Sequence, residues 1–536
     1  MRAEKLLYGI LAVALIVLLY NLGSWSLVNG EEARYAEISR EMLRAGDYLH
    51  PRLFAVDTYD RPPLTYWLTA LGLRLWGVNA FGARFFVQLA LIAQTVLVYY
   101  IGLRLLGSEQ VALFSGLIYL SLPLVLVSSR QLAPEIFAAT FELGAIYGLL
   151  RYYLTRRVWV LYAIALMLAL GLLTTGLSSL LLPGAFCLYL LWSHRRHPLA
   201  APFHWRQAAA AGLLAAGLGG IWFLYLLSQQ PAFGGFFGQT YLSVAWGSGW
   251  QLPLWLVAGS LPWCGFLAVG WPRPSFWHQA VIRPVMLFWL LLPLLWLLLS
   301  AQTALSLLAI AAGLAVVLGY WLQTIASPKI RHCSRLALGL YLALGLLALG
   351  GPLVAQLWRG QLSSSGPMLL TALVLIAIAL LLFKLIRVGT RFRLVAVALA
   401  ASLLLLLYSG YFIAANPHWR PTTDALAQFI RARELQDLPI LVYDEALPAL
   451  AFALDRDLVT LNAGQVLPDV RFQTRPAWRD RWILLDRAAA MPRLQQLTSG
   501  PSVLIVRGAL PEQLYWPELS YLQAEQVGPW QVLYQT

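Results

Sequence analysis

NGEEARYAEISREMLRAGDYLHPRLFAVDTYDRPPLTYWLTALGLRLWGVNAFGAR, residues 29–84, lies between two apolar runs that are each long enough to cross a bilayer. A helical span needs about 20 apolar residues, with a range of about 17–25. The quoted stretch holds too many Glu, Arg and Tyr residues to sit in lipid. It reads as a large polar loop following the first span, and such a loop is expected to carry the chemistry of the chain.

The remaining sequence sets the class. Of 536 residues, 60% are hydrophobic and 12% charged, whereas a soluble domain is about 25% charged. This is the composition of a polytopic membrane protein. The net charge of +14 does not point to nucleic acid, because the basic residues recur in short clusters between apolar runs, the pattern of cytoplasmic loops. Cys187, Cys264 and Cys333 show neither metal spacing nor a disulfide framework. The N-terminal run, with Arg2 and Lys5 ahead of it, lacks a small-residue cleavage pattern and is read as a retained span rather than a signal peptide.

Apolar runs fall near 6–23, 85–106, 111–128, 135–150, 158–175, 177–192, 208–228, 251–271, 284–300, 303–324, 336–358, 367–386 and 394–413. About thirteen spans are expected, which places the termini on opposite sides. Alternate connections carry Arg151, Arg156 and Arg157; Arg195, Arg196 and Arg206; Arg273 and Arg283; Lys329, Arg331 and Arg335; Lys384, Arg387, Arg391 and Arg393. These are read as cytoplasmic. The other connections are poor in cations except for the first loop and Arg130, and cations kept there are expected to serve substrate.

Beyond about Asn416 the apolar runs shorten. ILVYD (440–444), LVTLN (458–462), WILLD (482–486), SVLIV (502–506) and WQVLY (530–534) read as strands, with helical patterns such as TDALAQFIRARELQ between them. The expected organisation is a transmembrane domain over 1–413 and an extracytoplasmic α/β domain over 414–536. The Pro, Trp and Arg residues of HWRP (418–421) and RPAWRDRW (475–482) fit a lid, a docking surface or a plain cap.

Within the loop, EEARYAEISREMLRAG reads as an amphipathic helix at the bilayer surface, with Tyr35, Ile38 and Met42 on one side and Gly46 as its stop. Glu37, Arg40, Glu41 and Arg44 read as a solvated, salt-bridged face, while Glu31, Glu32 and Arg34 stand where span meets loop. Asp60 and Arg61 precede Pro62 and Pro63, which stiffen the turn and leave no amide to donate. Arg61 matches a phosphate geometrically or, more simply, touches lipid headgroups. In SSRQLAPEIF (128–137), Glu135 opens a helix where its charge also suits the dipole, and Glu142 lies seven residues further along the same face.

EEARYAEISREMLRAGDYLHPRL (31–53), DRPPLTYWL (60–68), FGAR (81–84) and RQLAPE (130–135) together resemble the first external loop and following turn of bacterial integral-membrane glycosyltransferases of the aminoarabinose-transferase and protein O-mannosyltransferase type. LPLWLVAGSLPWCGF (252–266) is a weaker echo. The resemblance implies a GT-C fold with about thirteen spans, and inverting transfer of a sugar from a polyprenyl-phosphate carrier to an extracytoplasmic lipid, glycan or protein acceptor. It implies a multi-pass protein of the bacterial inner membrane with a cytoplasmic N-terminus. It implies Glu31 and Glu135 as the catalytic carboxylates, and Glu32, Arg34, Tyr35, Asp60, Arg61, Tyr66, Arg84 and Arg130 as substrate-binding groups. No cofactor or metal ligand is implied, and a divalent cation is left open.

Departures from the family pattern matter as much. Both expected aspartates are glutamates here. A Thr-Lys-Gly turn reads Thr174-Thr175-Gly176, the Lys and Tyr expected in 300–313 are missing, and an expected Arg is Ser243. Fewer cations argue against an acceptor that presents phosphates. They also support a different class of function, a non-catalytic membrane relative that binds a lipid-linked sugar or a partner enzyme. A transporter is disfavoured because no half of the chain repeats with broken spans.

Overall fold

Helices occupy the apolar intervals. In chain order the first elements are α1 (Arg2–Leu19), α2 (Glu31–Ala45), β1 (Arg52–Leu53), β2 (Val56–Asp57), α3 (Leu64–Trp76), α4 (Ala80–Leu106), α5 (Glu109–Ser121), α6 (Pro123–Ser128), α7 (Pro134–Thr155), α8 (Trp159–Thr175), α9 (Leu181–Arg196) and α10 (Trp205–Gln229). Further helices run to Ala415, and a six-stranded sheet follows. The computed structural model describes residues 2–196, 204–230, 233–238, 240, 249–272, 274–279, 281–300, 303–359, 363–385, 391–416, 422–464, 476–485, 491–508 and 523–534. Ser243, Arg273, Arg387 and residues 418–421 lie outside them.

The chain divides into two compact units. The membrane unit holds Met1–Leu22, Arg84–Leu226 and Phe236–Asn416. The second unit gathers Gly23–Ala83, Leu227–Gly235 and Pro417–Thr536, so the polar loop and the C-terminal segment share one body.

In the membrane unit and the helices leading from it, seven helices among the described residues are long and apolar enough to cross a bilayer, or eight if one bent pair is counted as a span. Several expected spans are broken for local reasons. Pro123 lacks the amide that would continue α5 into α6. The run near 251–271, read as a single span, bends by 80° between Gly249–Gly259 and Trp263–Val269, at Pro262. Conversely, the runs near 158–175 and 177–192, read as two spans, form one candidate spanning segment, Trp159–His194, with Gly176 at φ 72 and ψ −146 near its middle.

Helix packing follows small residues and polar links. An added Cβ at Gly144 would sit 2.8 Å from Met167 Sδ, and one at Gly148 would sit 2.6 Å from Ile164 Cγ1. These two glycines, four apart on α7, let α8 approach closely. The Tyr119 hydroxyl donates to Gln94 Oε1 at 2.6 Å, and Gln94 Nε2 donates to the Ile136 carbonyl at 2.7 Å. That chain ties α4, α5 and α7 together where no water competes.

In the second unit the strands are β3 (Ile440–Tyr443), β4 (Val459–Asn462), β5 (Trp482–Leu484), β6 (Val503–Arg507), β7 (Gln523–Val527) and β8 (Trp530–Tyr534). Their order is β5-β4-β3-β6-β8-β7. Pairs among β3, β4, β5 and β6 are parallel, and β8 runs antiparallel to β6 and β7. Leu441, Leu461, Ile483, Leu504 and Leu533 build the core. Strand β7, QAEQV, was not expected. It is a largely exposed edge strand, polar because it has little apolar core to cover.

Candidate functional site

The loop helix α2 begins without a side-chain cap on Gly30, whose φ of 133 is open to glycine. Glu32 supplies part of what is missing, its Oε2 accepting the Val28 amide at 3.0 Å. A carboxylate in the first turn also meets the positive end of the helix dipole. Glu32 is therefore buried structure, 8% exposed. Its neighbour Glu31 points away, with 67% of its side chain exposed.

Arg34 turns its guanidinium onto Asp60. Nη1 donates to Oδ2 at 2.8 Å and Nη2 to Oδ1 at 2.7 Å, the two-point geometry a guanidinium offers a carboxylate. Glu31 lies 3.5 Å from the same group. Burial works against the Arg34 charge, but Asp60 and then Tyr66 and Glu31 outweigh it and hold the guanidinium above its ordinary range. Asp60 thus takes up most of the cation, leaving Glu31 an open carboxylate at the mouth of the helix. Arg61, the next residue, is half-buried ahead of buried Pro62 and Pro63. Tyr35 and Tyr66 are buried, their rings 6.0 Å apart, and join α2 to α3.

The solvated face expected on α2 is not there. Glu37 and Arg40 are both 0% exposed. Arg40 Nε and Nη2 donate to Glu37 at 2.8 and 2.6 Å, and the same guanidinium reaches Asp455 at 3.3 Å and Asp457 at 3.2 Å. Arg44 adds a 2.9 Å pair to Asp455. The i,i+3 pairing on α2 was legible in the sequence; its burial against the 455–457 turn was not, and the helix is enclosed rather than one-sided. Gly46 does stop it, at φ 65.

Glu41 does different work. Strands β1 and β2 are joined by Phe54 and Ala55 alone, at φ 53 and 62. Such a turn favours Asn-Gly, and non-glycine residues there carry strain of about 1–3 kcal/mol each. The Glu41 carboxyl accepts the Phe54 amide at 2.6 Å and the Ala55 amide at 3.2 Å, which pins the turn and sets Phe54 6.3 Å from the Trp482 ring. Burial, then the Glu37 charge, push Glu41 up from 4.5 to about 8 against those two amide bonds.

A carboxyl whose folded pKa is raised gives stability that is full below its unfolded value and falls as pH climbs through the folded one. Protection factors for the Phe54 and Ala55 amides are therefore expected to drop between pH 4.5 and about 8, and Glu41→Gln to flatten that dependence. Hydrogen exchange corrected for intrinsic rates measures both.

The remaining expected residues lie in the membrane unit. Arg84 is 0% exposed and donates to the Leu22 carbonyl at 3.1 Å. Arg130, 4% exposed, donates to the Leu18 carbonyl at 3.0 Å and to Tyr20 at 3.4 Å. Both cations thus serve carbonyls around the end of α1. Burial, then the Arg84 charge, depress Arg130 to about 10; an anion entering here would relieve that repulsion. Glu135 is buried in the first turn of α7, after Pro134.

A family model described as dolichyl-phosphate-mannose-protein mannosyltransferase matches residues 60–222. An uncharacterised Aquifex aeolicus protein is 32% identical over 40% of this chain and 42% of its own length. A Pseudomonas fluorescens protein named undecaprenyl phosphate-alpha-4-amino-4-deoxy-L-arabinose arabinosyl transferase 2 is 28% identical over 85% of this chain and 82% of its own. The crystal structure of ArnT from Cupriavidus metallidurans bound to undecaprenyl phosphate superposes with a TM-score of 0.74 at 19% identity, over 98% of this chain and 96% of that one. The partial family match, the long alignment to a protein named as an aminoarabinose transferase and the shared fold agree with the loop motifs: this chain is similar to integral-membrane glycosyltransferases of the aminoarabinose-transferase and protein O-mannosyltransferase type and has the fold of ArnT.

Proposed function

We propose that this protein moves a pentose or hexose from a polyprenyl-phosphate carrier to a lipid, glycan or protein acceptor outside the bacterial inner membrane. The observation that carries the reading is the start of α2, where the Arg34–Asp60 fork occupies the cation and leaves Glu31 exposed. The carrier class follows the likeness to a relative named for undecaprenyl phosphate. Thirteen spans, a cytoplasmic N-terminus and an outer α/β domain follow the alternation of basic loops.

In this reading Glu31 accepts the proton of the acceptor hydroxyl, or orients it. The acceptor oxygen forms its bond to the anomeric carbon with inversion. The bond from that carbon to the carrier phosphate breaks, and the phosphate leaves with the electron pair. Strong acid catalysis is unnecessary for such a leaving group; cations that meet its charge suffice. Arg84 and Arg130, close enough for one to depress the other, supply one such place, and Arg61 a second. Glu135 is the second carboxylate of the reaction, and Glu32, Tyr35 and Tyr66 shape the loop that presents Glu31 and Arg34.

The test is mass analysis of carrier lipids and glycans in cells that lack the protein. The carrier-linked sugar is expected to accumulate and one glycosylated product to vanish. Glu135→Gln at normal expression is expected to reproduce the pattern. Unchanged carrier-linked sugar in the deletion would refute the reading.

A further inference from the structure

The stretch LPLWLVAGSLPWCGF, residues 252–266, takes no part in the chemistry proposed above. It forms the bent pair of helices, Leu252–Gly259 and Trp263–Val269, and both arms close on one point, the break between α5 and α6. The Trp263 indole, 0% exposed, donates from Nε1 to Ser121 Oγ at 2.8 Å. Gly259 brings the other arm against α6, where an added Cβ would sit 2.7 Å from Leu124 Cβ.

The break is a single extended residue. Leu122, at φ −67 and ψ 130, leaves the helix, and its amide turns to the Tyr119 carbonyl at 3.1 Å rather than to that of Ile118, four residues back. The Ser121 hydroxyl takes over, donating to the Ile118 carbonyl at 2.8 Å. Where no water is at hand, a freed carbonyl must find a donor within the protein, and the hydroxyl retains its lone pairs to accept from Trp263. One buried hydroxyl thus satisfies the break and joins it to the bent pair.

What hangs from the break is the turn that carries Arg130 and Glu135. The Leu122 carbonyl accepts the Val125 and Leu126 amides at 3.0 and 3.1 Å, which starts α6. At the far end the Ser129 carbonyl accepts Gln88 Nε2 at 2.6 Å, and Arg130 follows. Six residues long, α6 spans about 9 Å at about 1.5 Å per residue, so a tilt of about 10° at Leu122 carries its end by about 1.5 Å. Displacements of about 1 Å can cost about 10²-fold when they misplace a group that meets substrate.

We propose that Trp263 and Gly259 are positioning residues: by clasping the α5–α6 break they hold Arg130 where it meets the carrier phosphate. The proposal rests on the reading of Arg130 as a phosphate contact. Trp321 offers the contrast. Its buried indole donates to the Gly270 carbonyl at 3.1 Å, at the opposite end of the second arm from Trp263.

Equilibrium binding of a synthetic polyprenyl phosphate to the full-length protein in nanodiscs tests this. Arg130→Gln is expected to weaken binding about tenfold or more, the worth of a charge-assisted hydrogen bond. Trp263→Phe, which removes one N–H and keeps a buried ring, and Gly259→Ala, which pushes on Leu124, are each expected to weaken it about three- to fivefold, a part of that loss. Trp321→Phe gives up an equivalent bond and is expected to leave affinity unchanged. A protein that was only destabilised would lose binding capacity, the number of competent sites, and keep its affinity. On the Arg130→Gln background, Trp263→Phe is expected to add nothing, as for two residues that act through one contact. Unaltered affinity in both Trp263→Phe and Gly259→Ala, beside a weakened Arg130→Gln, would overturn the positioning role alone. So would full additivity of Trp263→Phe with Arg130→Gln, or an equal loss of affinity in Trp321→Phe. Unaltered affinity in Arg130→Gln would remove that cation from the carrier site and the positioning role with it.

Discussion

Glu31→Gln is expected to lower sugar transfer by about 10²–10⁴-fold, the usual contribution of a positioned general base, with the KM for the carrier-linked donor nearly unchanged. The substitution keeps the side-chain length and volume. It removes only a carboxylate that is 67% exposed and 3.5 Å from Arg34, so α2 and its fork to Asp60 stay intact. A loss confined to kcat would identify an interaction made in the transition state. Arg34→Lys provides the contrast: it abandons two-point contact with Asp60 and is expected to disturb KM and kcat together. Glu31→Asp restores the family's shorter carboxylate and is expected to retain part of the activity. Kinetics in proteoliposomes with a synthetic polyprenyl-phosphate sugar measure all three. Full transfer by Glu31→Gln would remove Glu31 from the chemistry. An unaltered protein that binds donor but never turns it over would instead be the non-catalytic relative.

Local rules made much of the architecture legible. Long runs of apolar residues located helices of the membrane unit, and short apolar runs located five of the six strands of the C-terminal sheet. Strand β7 escaped because QAEQV lies at a sheet edge and needs no apolar face. The turn at Phe54 and Ala55 escaped because neither residue is one that favours a left-handed conformation; a carboxyl thirteen residues earlier holds it. At the site, the charge pairs one helical turn apart were visible as spacing. The deciding partners were not: Asp60 is 26 residues from Arg34, and Asp457 is 417 from Arg40. Spacing along one helix says which charges are neighbours, whereas their burial depends on what the rest of the chain brings to them.

Arg40→Ala is expected to release α2 from the α/β segment, at a cost of about 3–5 kcal/mol for a buried pair deprived of one partner. Arg40 and Glu37 are both 0% exposed, so no water replaces the lost bonds, and the Glu37 carboxylate is left buried without its fork. Asp455 and Asp457 suffer less, since their side chains are 49% and 40% exposed and solvent takes over. Amides of α2 that exchange through this opening are expected to speed up by on the order of 10²–10³-fold, measured by hydrogen exchange on the full-length protein in nanodiscs. The double variant Glu37→Leu with Arg40→Met removes both buried charges and refills the space, and such replacements are often neutral or stabilising. It is expected to recover most of the protection on α2 while losing the bonds to the 455–457 turn. If the single variant left exchange unchanged, the ion pair would hold nothing in place. If the double variant restored protection but not sugar transfer, Arg40 would act by fixing where α2, and with it Glu31, stands.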